Sequence, residues 1–162
     1  MKDLVRRRRR DSGYSFIELI VVASILAILA SAIMPLTKVT MQRQRESELR
    51  RALREMRTAI DEFKDQADLG NIATIDLGAN SEGYPADLDT LVEGVPAAND
   101  ATGRKLKFLR RIPLDPMTRE ADWRLRSYQD DADSTSWGGQ NVYDVYSRSE
   151  ARALDGTYYK EW

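Results

Sequence analysis

The sequence predicts an α+β fold: one long N-terminal helix, apolar in its first half and amphipathic in its second, packed on a small antiparallel sheet with a C-terminal loop. Three observations lead there. A run from Leu19 to Leu36 is apolar or small except for Ser24 and Ser31. From Thr37 to Leu69 a highly charged stretch without a helix breaker carries apolar residues at helical spacing. Beyond Gly70, short segments that alternate apolar and polar residues are separated by Gly, Pro and Asn.

With Tyr14 to Glu18 in front, the apolar run reaches about 23 residues, or roughly 35 Å of helix, enough to cross a bilayer once. The remaining composition, 42% hydrophobic and 31% charged over 162 residues, suits a globular domain better than a polytopic membrane protein. Charge is divided unevenly. Met1 to Gly13 carry Lys2 and Arg6 to Arg10 against Asp3 and Asp11, which is +4; the whole chain is -1, so everything after Gly13 sums to -5. Positive residues stay on the cytoplasmic side. The N-terminus is therefore expected in the cytoplasm and the acidic C-terminal domain across the membrane. A nucleic-acid role for the arginine run is set aside, since a membrane span follows at once and no aromatic platform accompanies it.

The second half of the helix is built on Leu49, Leu53, Met56, Ile60 and Phe63, at steps of four, three, four and three. That spacing keeps them on one face, with Arg50, Arg51, Arg54, Glu55, Arg57, Asp61, Glu62 and Lys64 elsewhere. Gly70 is the expected stop, giving one helix of about 55 residues, roughly 80 Å long. Pro35 removes one backbone hydrogen bond and crowds the preceding turn, so a kink or a locally melted segment is expected there.

After Gly70 a loop runs through Gly83. Asp87 is placed to cap a short helix carrying Leu88 and Leu91 inward. A second loop, Pro96 to Gly103, leads to a fixed turn at Pro113 and Pro116, which forbid continuous helix. Asp122 to Tyr128 and Asn141 to Ser147 read as antiparallel strands, with Gly138 and Gly139 between them. The acidic stretch Ser127 to Trp137 lacks the glycine and bidentate glutamate of an EF-hand and reads as a solvated hairpin excursion.

The chain contains no cysteine and no histidine. Disulfides, thiolate metal sites and the Ser-His-Asp and Cys-His arrangements are all excluded. Asp115 and Asp155 are the carboxylates a hydrolase would pair, yet nothing in the sequence places them together. No enzyme is expected.

An ordinary secretory signal has its small-residue cleavage site after the apolar run. Here the small residue, Gly13, stands before it, and a glutamate, Glu18, is buried in lipid at a cost of roughly 2.5–3.5 kcal/mol near a helix centre unless it finds a partner or snorkels to the interface. Gly13, Tyr14, Glu18 and Pro35 at these positions resemble the type IV pilin superfamily, which includes type IV pilins and the pseudopilins of type II secretion. The resemblance implies that residues 1–13 are a cytoplasmic leader, cut after Gly13 by a prepilin peptidase, and that the freed amine of Tyr14 is then N-methylated. Tyr14 departs from the commoner phenylalanine but keeps the ring. Residues 14–36 become the transmembrane and filament-core helix, 37–69 its amphipathic continuation, and 70–162 a periplasmic globular domain. The resemblance also implies that Glu18 pairs with the Tyr14 amine of a neighbouring subunit and that melting near Pro35 accompanies assembly.

Tyr84-Pro85, Arg111 to Pro116, Trp123, Gly138-Gly139, Tyr146-Ser147 and Trp162 together look like the major pseudopilin, the G subunit, of type II secretion. That resemblance implies a structural subunit of a periplasmic filament, whose partners are copies of itself, the peptidase, other pseudopilins and inner-membrane secretion components. It further implies a calcium ion in the C-terminal loop. The oxygens available there belong to Ser147, Ser149, Glu150, the Leu154 carbonyl, Asp155 and Thr157, in an acidic run thinned to Glu150, Asp155 and Glu161. The competing reading is a plain turn at Asp155-Gly156, with Tyr158, Tyr159 and Trp162 holding the loop on the sheet. Two other functions stay open: a type IV pilin of a surface fibre for adhesion, twitching or DNA uptake, and a single-span, membrane-anchored binding domain that does not polymerise.

Overall fold

The computed structural model describes residues 15–73, 81–98 and 102–162, without the side chains of 32–36. Its main element is α1, Phe16–Asp68, a single helix of 53 residues that continues through Pro35 without the local melting expected there. Gly70 ends it as the spacing predicts. Its φ of 73° is the left-handed conformation that glycine adopts cheaply. Gly70 N–H donates to the Ala67 carbonyl at 3.0 Å and Asn71 N–H to that of Gln66 at 3.0 Å, the paired bonds of a Schellman stop.

The chain divides into two compact units, one ending at Thr40 and the other spanning Met41–Trp162. The amphipathic part of α1 thus belongs with the residues it covers. Leu49, Leu53, Met56, Ile60 and Phe63 are all at most 2% exposed, the face that the sequence periodicity assigned to the core. Each such side chain contributes about 1.5–3 kcal/mol on burial. Opposite them lie Leu91, Leu109, Trp123, Val142 and Val145.

Among the described residues, four short strands and two short helices complete this unit. In α2, Leu88–Glu93, the Asp87 carboxylate accepts from Thr90 N–H at 2.7 Å, and Leu88 and Leu91 are buried, as expected from the sequence. Strands β1, Val95–Pro96, and β2, Lys105–Leu106, pair antiparallel with Val95 opposite Leu106. This pair flanks the loop expected from Pro96 to Gly103 and takes only Pro96 from it. Strands β3, Arg124–Arg126, and β4, Asp144–Tyr146, pair antiparallel with Leu125 opposite Val145. A 3₁₀ turn, Tyr159–Glu161, closes the described chain.

Strands β3 and β4 are shorter than the alternating segments that predicted them, for a visible reason. Beyond Arg126 the ladder gives way to side chains: Ser127 Oγ donates to the Asn141 carbonyl at 3.0 Å, and Tyr128 N–H donates to Asn141 Oδ1 at 2.9 Å. Asn141 is fully buried, so its amide takes over the pairing that another backbone residue would have made. No helix runs through Pro113 and Pro116, as expected, but the turn itself begins at Pro116, where Arg119 N–H donates to the Asp115 carbonyl at 2.7 Å; Trp123 Nε1 donates to the Pro113 carbonyl at 2.9 Å, tying the segment to the start of β3.

Candidate assembly site

The sequence-predicted processing residues Gly13 and Tyr14 lie outside the described residues. Glu18 stands in the first turn of α1, solvent-exposed. A carboxylate there complements the positive end of the helix dipole. Around it Phe16, Ile17, Leu19, Ile20, Val21, Val22, Ile25, Leu26, Ile28 and Leu29 are all exposed, between 45% and 79%. So large an uncovered apolar surface marks an interface with lipid or protein. Among the described residues no helix is long and apolar enough to cross a membrane. The expected span, however, includes 32–36.

The C-terminal segment is held on the second half of α1 by a polar clasp. Glu46 Oε1 accepts from Leu154 N–H at 2.8 Å and from the Tyr159 hydroxyl at 2.9 Å. Gln42 Nε2 donates to that same hydroxyl at 2.9 Å and to the Arg152 carbonyl at 3.1 Å. One turn further on, the Arg50 guanidinium lies 4.3 Å from the centre of the Trp162 ring and 3.6 Å from Asp155 Oδ2. Arg57 then donates from Nε to Asp144 Oδ1 at 2.7 Å and from its terminal nitrogen to the carbonyls of Val145 at 3.1 Å and Trp162 at 2.8 Å. Residues 42, 46, 50 and 57 share one flank of α1 because they recur near helical spacing.

The oxygens offered to calcium have protein partners here. Asp155 Oδ1 accepts from Thr157 N–H at 3.0 Å and from its hydroxyl at 2.6 Å, while Thr157 Oγ1 accepts from Trp162 Nε1 at 2.7 Å. These bonds from Thr157 hold the Asp155 carboxyl below its ordinary range. Ser147 Oγ, fully buried, donates to Asp115 Oδ2 at 2.6 Å and accepts from Ser149 N–H at 3.0 Å. Leu154 is turned by its bond to Glu46, and Glu150 is exposed. Among the described residues no three Asp, Glu, His or Cys side chains gather to hold a metal. With a guanidinium facing Asp155, this donor set fits a closed turn rather than a calcium cage.

Asp115 and Asp155 are not brought together. The Asp115 carboxylate serves the turn that begins at Pro116, accepting from Met117 N–H at 2.7 Å as well as from Ser147. In the acidic excursion, Asp130 Oδ2 accepts from the N–H groups of Ser127 at 2.8 Å and Gly138 at 3.0 Å, which lowers its pKa. Sequence reasoning missed the clasp residues Gln42, Glu46 and Arg57. Their one signal, a polar stripe flanking the apolar face of an amphipathic helix, looks the same whether it meets water or a folded-back tail.

Residues 8–34 match the family model of the prokaryotic N-terminal methylation motif. Neither a curated protein nor a solved structure matches the chain. The matched segment contains Gly13, Tyr14 and Glu18, and with the long α1 on small antiparallel sheets it supports a type IV pilin-like protein.

Proposed function

We propose that the chain is a structural pseudopilin, a subunit that polymerises into the periplasmic filament of a type II protein secretion system. The observation that carries this reading is the methylation motif over residues 8–34, whose described part enters α1 with its large apolar side chains exposed from Phe16 to Leu29. In this reading a prepilin peptidase cuts between Gly13 and Tyr14, and Tyr14 is N-methylated. The chain waits in the inner membrane with its N-terminus cytoplasmic and its globular domain periplasmic, then is drawn into the filament. The apolar half of α1 supplies association without direction. Glu18 supplies register by pairing with the Tyr14 amine of a neighbour, where a lone carboxylate in low dielectric is heavily penalised. Pro35 lies where the helix gives way during that transfer.

The pseudopilin subclass is favoured over a surface-fibre pilin by the C-terminal half. Tyr84-Pro85, the Arg111 to Pro116 stretch and Trp162 keep the pattern named above, and the chain closes its C-terminal loop with no disulfide. The Asp155-Thr157 turn and the Glu46, Arg50 and Arg57 contacts support a loop held without calcium. Adding calcium is then expected to leave the melting temperature unchanged; a rise would restore the ion. Deletion of the gene tests the subclass. Secreted proteins are expected to accumulate in the periplasm and return to the medium on complementation. Loss of surface fibres with secretion intact would make the chain a pilin instead.

A further inference from the structure

The outward face of the β3–β4 pair carries cations that the fold leaves unbonded. Arg124 stands opposite Tyr146 and Arg126 opposite Asp144, while between them Leu125 packs against the core and Val145 is buried. Alternation along a strand therefore sets Arg124, Arg126, Asp144 and Tyr146 on the other side of the sheet. Across the ladder from Arg126 is thus a carboxylate, the partner it would ordinarily take. That carboxylate is already used, since Asp144 Oδ1 accepts from Arg57 Nε at 2.7 Å. The Asp130 carboxylate is committed too, to the N–H groups of Ser127 and Gly138. Arg126 is left stacked over the Tyr146 ring, 4.6 Å from its centre, and its buried Nε has no hydrogen-bond partner among the described residues. A buried donor without an acceptor is rare in a folded protein. Together with Arg124, Tyr146, residues 132–135 of the β3–β4 connection, and Lys160 and Glu161 of the closing 3₁₀ turn, Arg126 lines a cavity of about 510 Å³. None of Arg124, Arg126 and Lys160 forms an ion pair among the described residues, although two acids, Asp133 and Glu161, share the lining. Both arginines are half-buried, which makes an unbonded guanidinium costlier than on the exposed flank of α1.

We infer that this cavity binds a phosphorylated sugar, with the phosphate held by Arg124, Arg126 and Lys160 and the hydroxyls by Asp133 and Glu161. A planar carboxylate is satisfied by one guanidinium fork, whereas a phosphate ester has three terminal oxygens to share among three cations. The volume exceeds what an inorganic ion needs and lies in the range of small-molecule sites, so the anion is one end of a larger ligand. Carboxylates only accept hydrogen bonds, and these two come from separate segments of the chain. They therefore call for donors at more than one position, which a polyhydroxylated ring supplies. All these residues belong to the Met41–Trp162 unit, and the site does not depend on the filament reading.

Calorimetric titration of glucose 1-phosphate into the full-length chain, in polyoxyethylene detergent micelles and phosphate-free buffer, tests the site. Saturable binding at a single site per chain is expected, tighter than that of inorganic phosphate or of glucose. Arg124→Gln with Arg126→Gln should weaken it about tenfold or more, because hydrogen bonds to a charged group are lost. Arg148→Gln should leave it unchanged, since that arginine pairs with Asp122 at 2.9 Å and does not line the cavity. Asp133→Asn with Glu161→Gln gives a readout that misfolding cannot mimic: inorganic phosphate is expected to bind more tightly as like charge is removed, while the preference for glucose 1-phosphate over it shrinks. Lipid A, a phosphorylated glycolipid, distinguishes the sources when added to the micelles. Displacement of glucose 1-phosphate assigns the ligand to a lipid headgroup, and no displacement assigns it to a soluble sugar phosphate. No binding at millimolar glucose 1-phosphate, binding undiminished in the double arginine variant, or acetate competing as well as phosphate would overturn the inference.

Discussion

The two halves of α1 obey the same helical geometry and meet opposite fates. From Leu49 to Phe63 the apolar side chains are covered by α2, the strands and the C-terminal segment, whereas from Phe16 to Leu29 they are exposed. The first half cannot be understood from its own chain. An amphipathic stripe finds its cover within one domain, but a helix apolar all round needs lipid or other helices. The single polar group within that uncovered surface that carries charge, Glu18, is then the one able to specify what the surface meets.

Substituting Glu18 with alanine should therefore have the largest effect on assembly and the smallest on the fold. Filaments are expected to disappear under the electron microscope, while the thermal melt of the Met41–Trp162 unit stays unchanged. Filaments of normal yield would leave Glu18 as an interfacial charge only. The converse variant is Phe63→Ala. Phe63 is 1% exposed and packs edge to face on Phe108 at 5.2 Å, so its loss is expected to cost about 3–5 kcal/mol in chemical denaturation. Leu26→Ala, on the exposed half, should cost almost none of this. Equal costs at the two positions would erase the contrast between the halves.

A smaller effect is expected at Gly94, which ends α2 with φ of 78°. A Cβ there would stand 2.5 Å from the Leu106 carbonyl oxygen, so Gly94→Ala should destabilise the unit by about 1–3 kcal/mol and loosen the pairing of β1 with β2.

The helix was legible because its periodicity and Gly70 are local signals, and α2 because Asp87 announces its start. Strands β3 and β4 were legible in place but not in length, since the ladder is cut by Asn141, whose burial only the folded chain reveals. The β1–β2 pair was hidden by its brevity and by Pro96, a residue that discourages a strand assignment. The clasp was illegible for another reason. It joins residues about 100 positions apart, and no local pattern tells Gln42, Glu46 and Arg57 that a tail will fold back on them. Gly13 and Tyr14 were legible as a motif, and they lie outside the described residues.

The smallest effect is one of pH. The carboxyls of Asp155 and Asp130 are held below their ordinary value of 3.8 by the bonds they accept from Thr157, and from Ser127 and Gly138. A folded pKa below the unfolded one adds stability that is present above the ordinary value and lost as pH falls through the lowered one. Melts recorded from neutral pH downward should thus stay flat until below that ordinary value and then fall. Asp155→Asn should lessen the acid-induced drop.

In the function proposed above, the leader ahead of Tyr14 is removed so that the exposed apolar half of α1 becomes the start of an assembling subunit. Intact-mass spectrometry of the protein recovered from membranes of cells with a prepilin peptidase tests it most directly. A chain that begins at Tyr14 with one added methyl group is the expected result. A chain that still begins at Met1, or one cut after the apolar run, would contradict it.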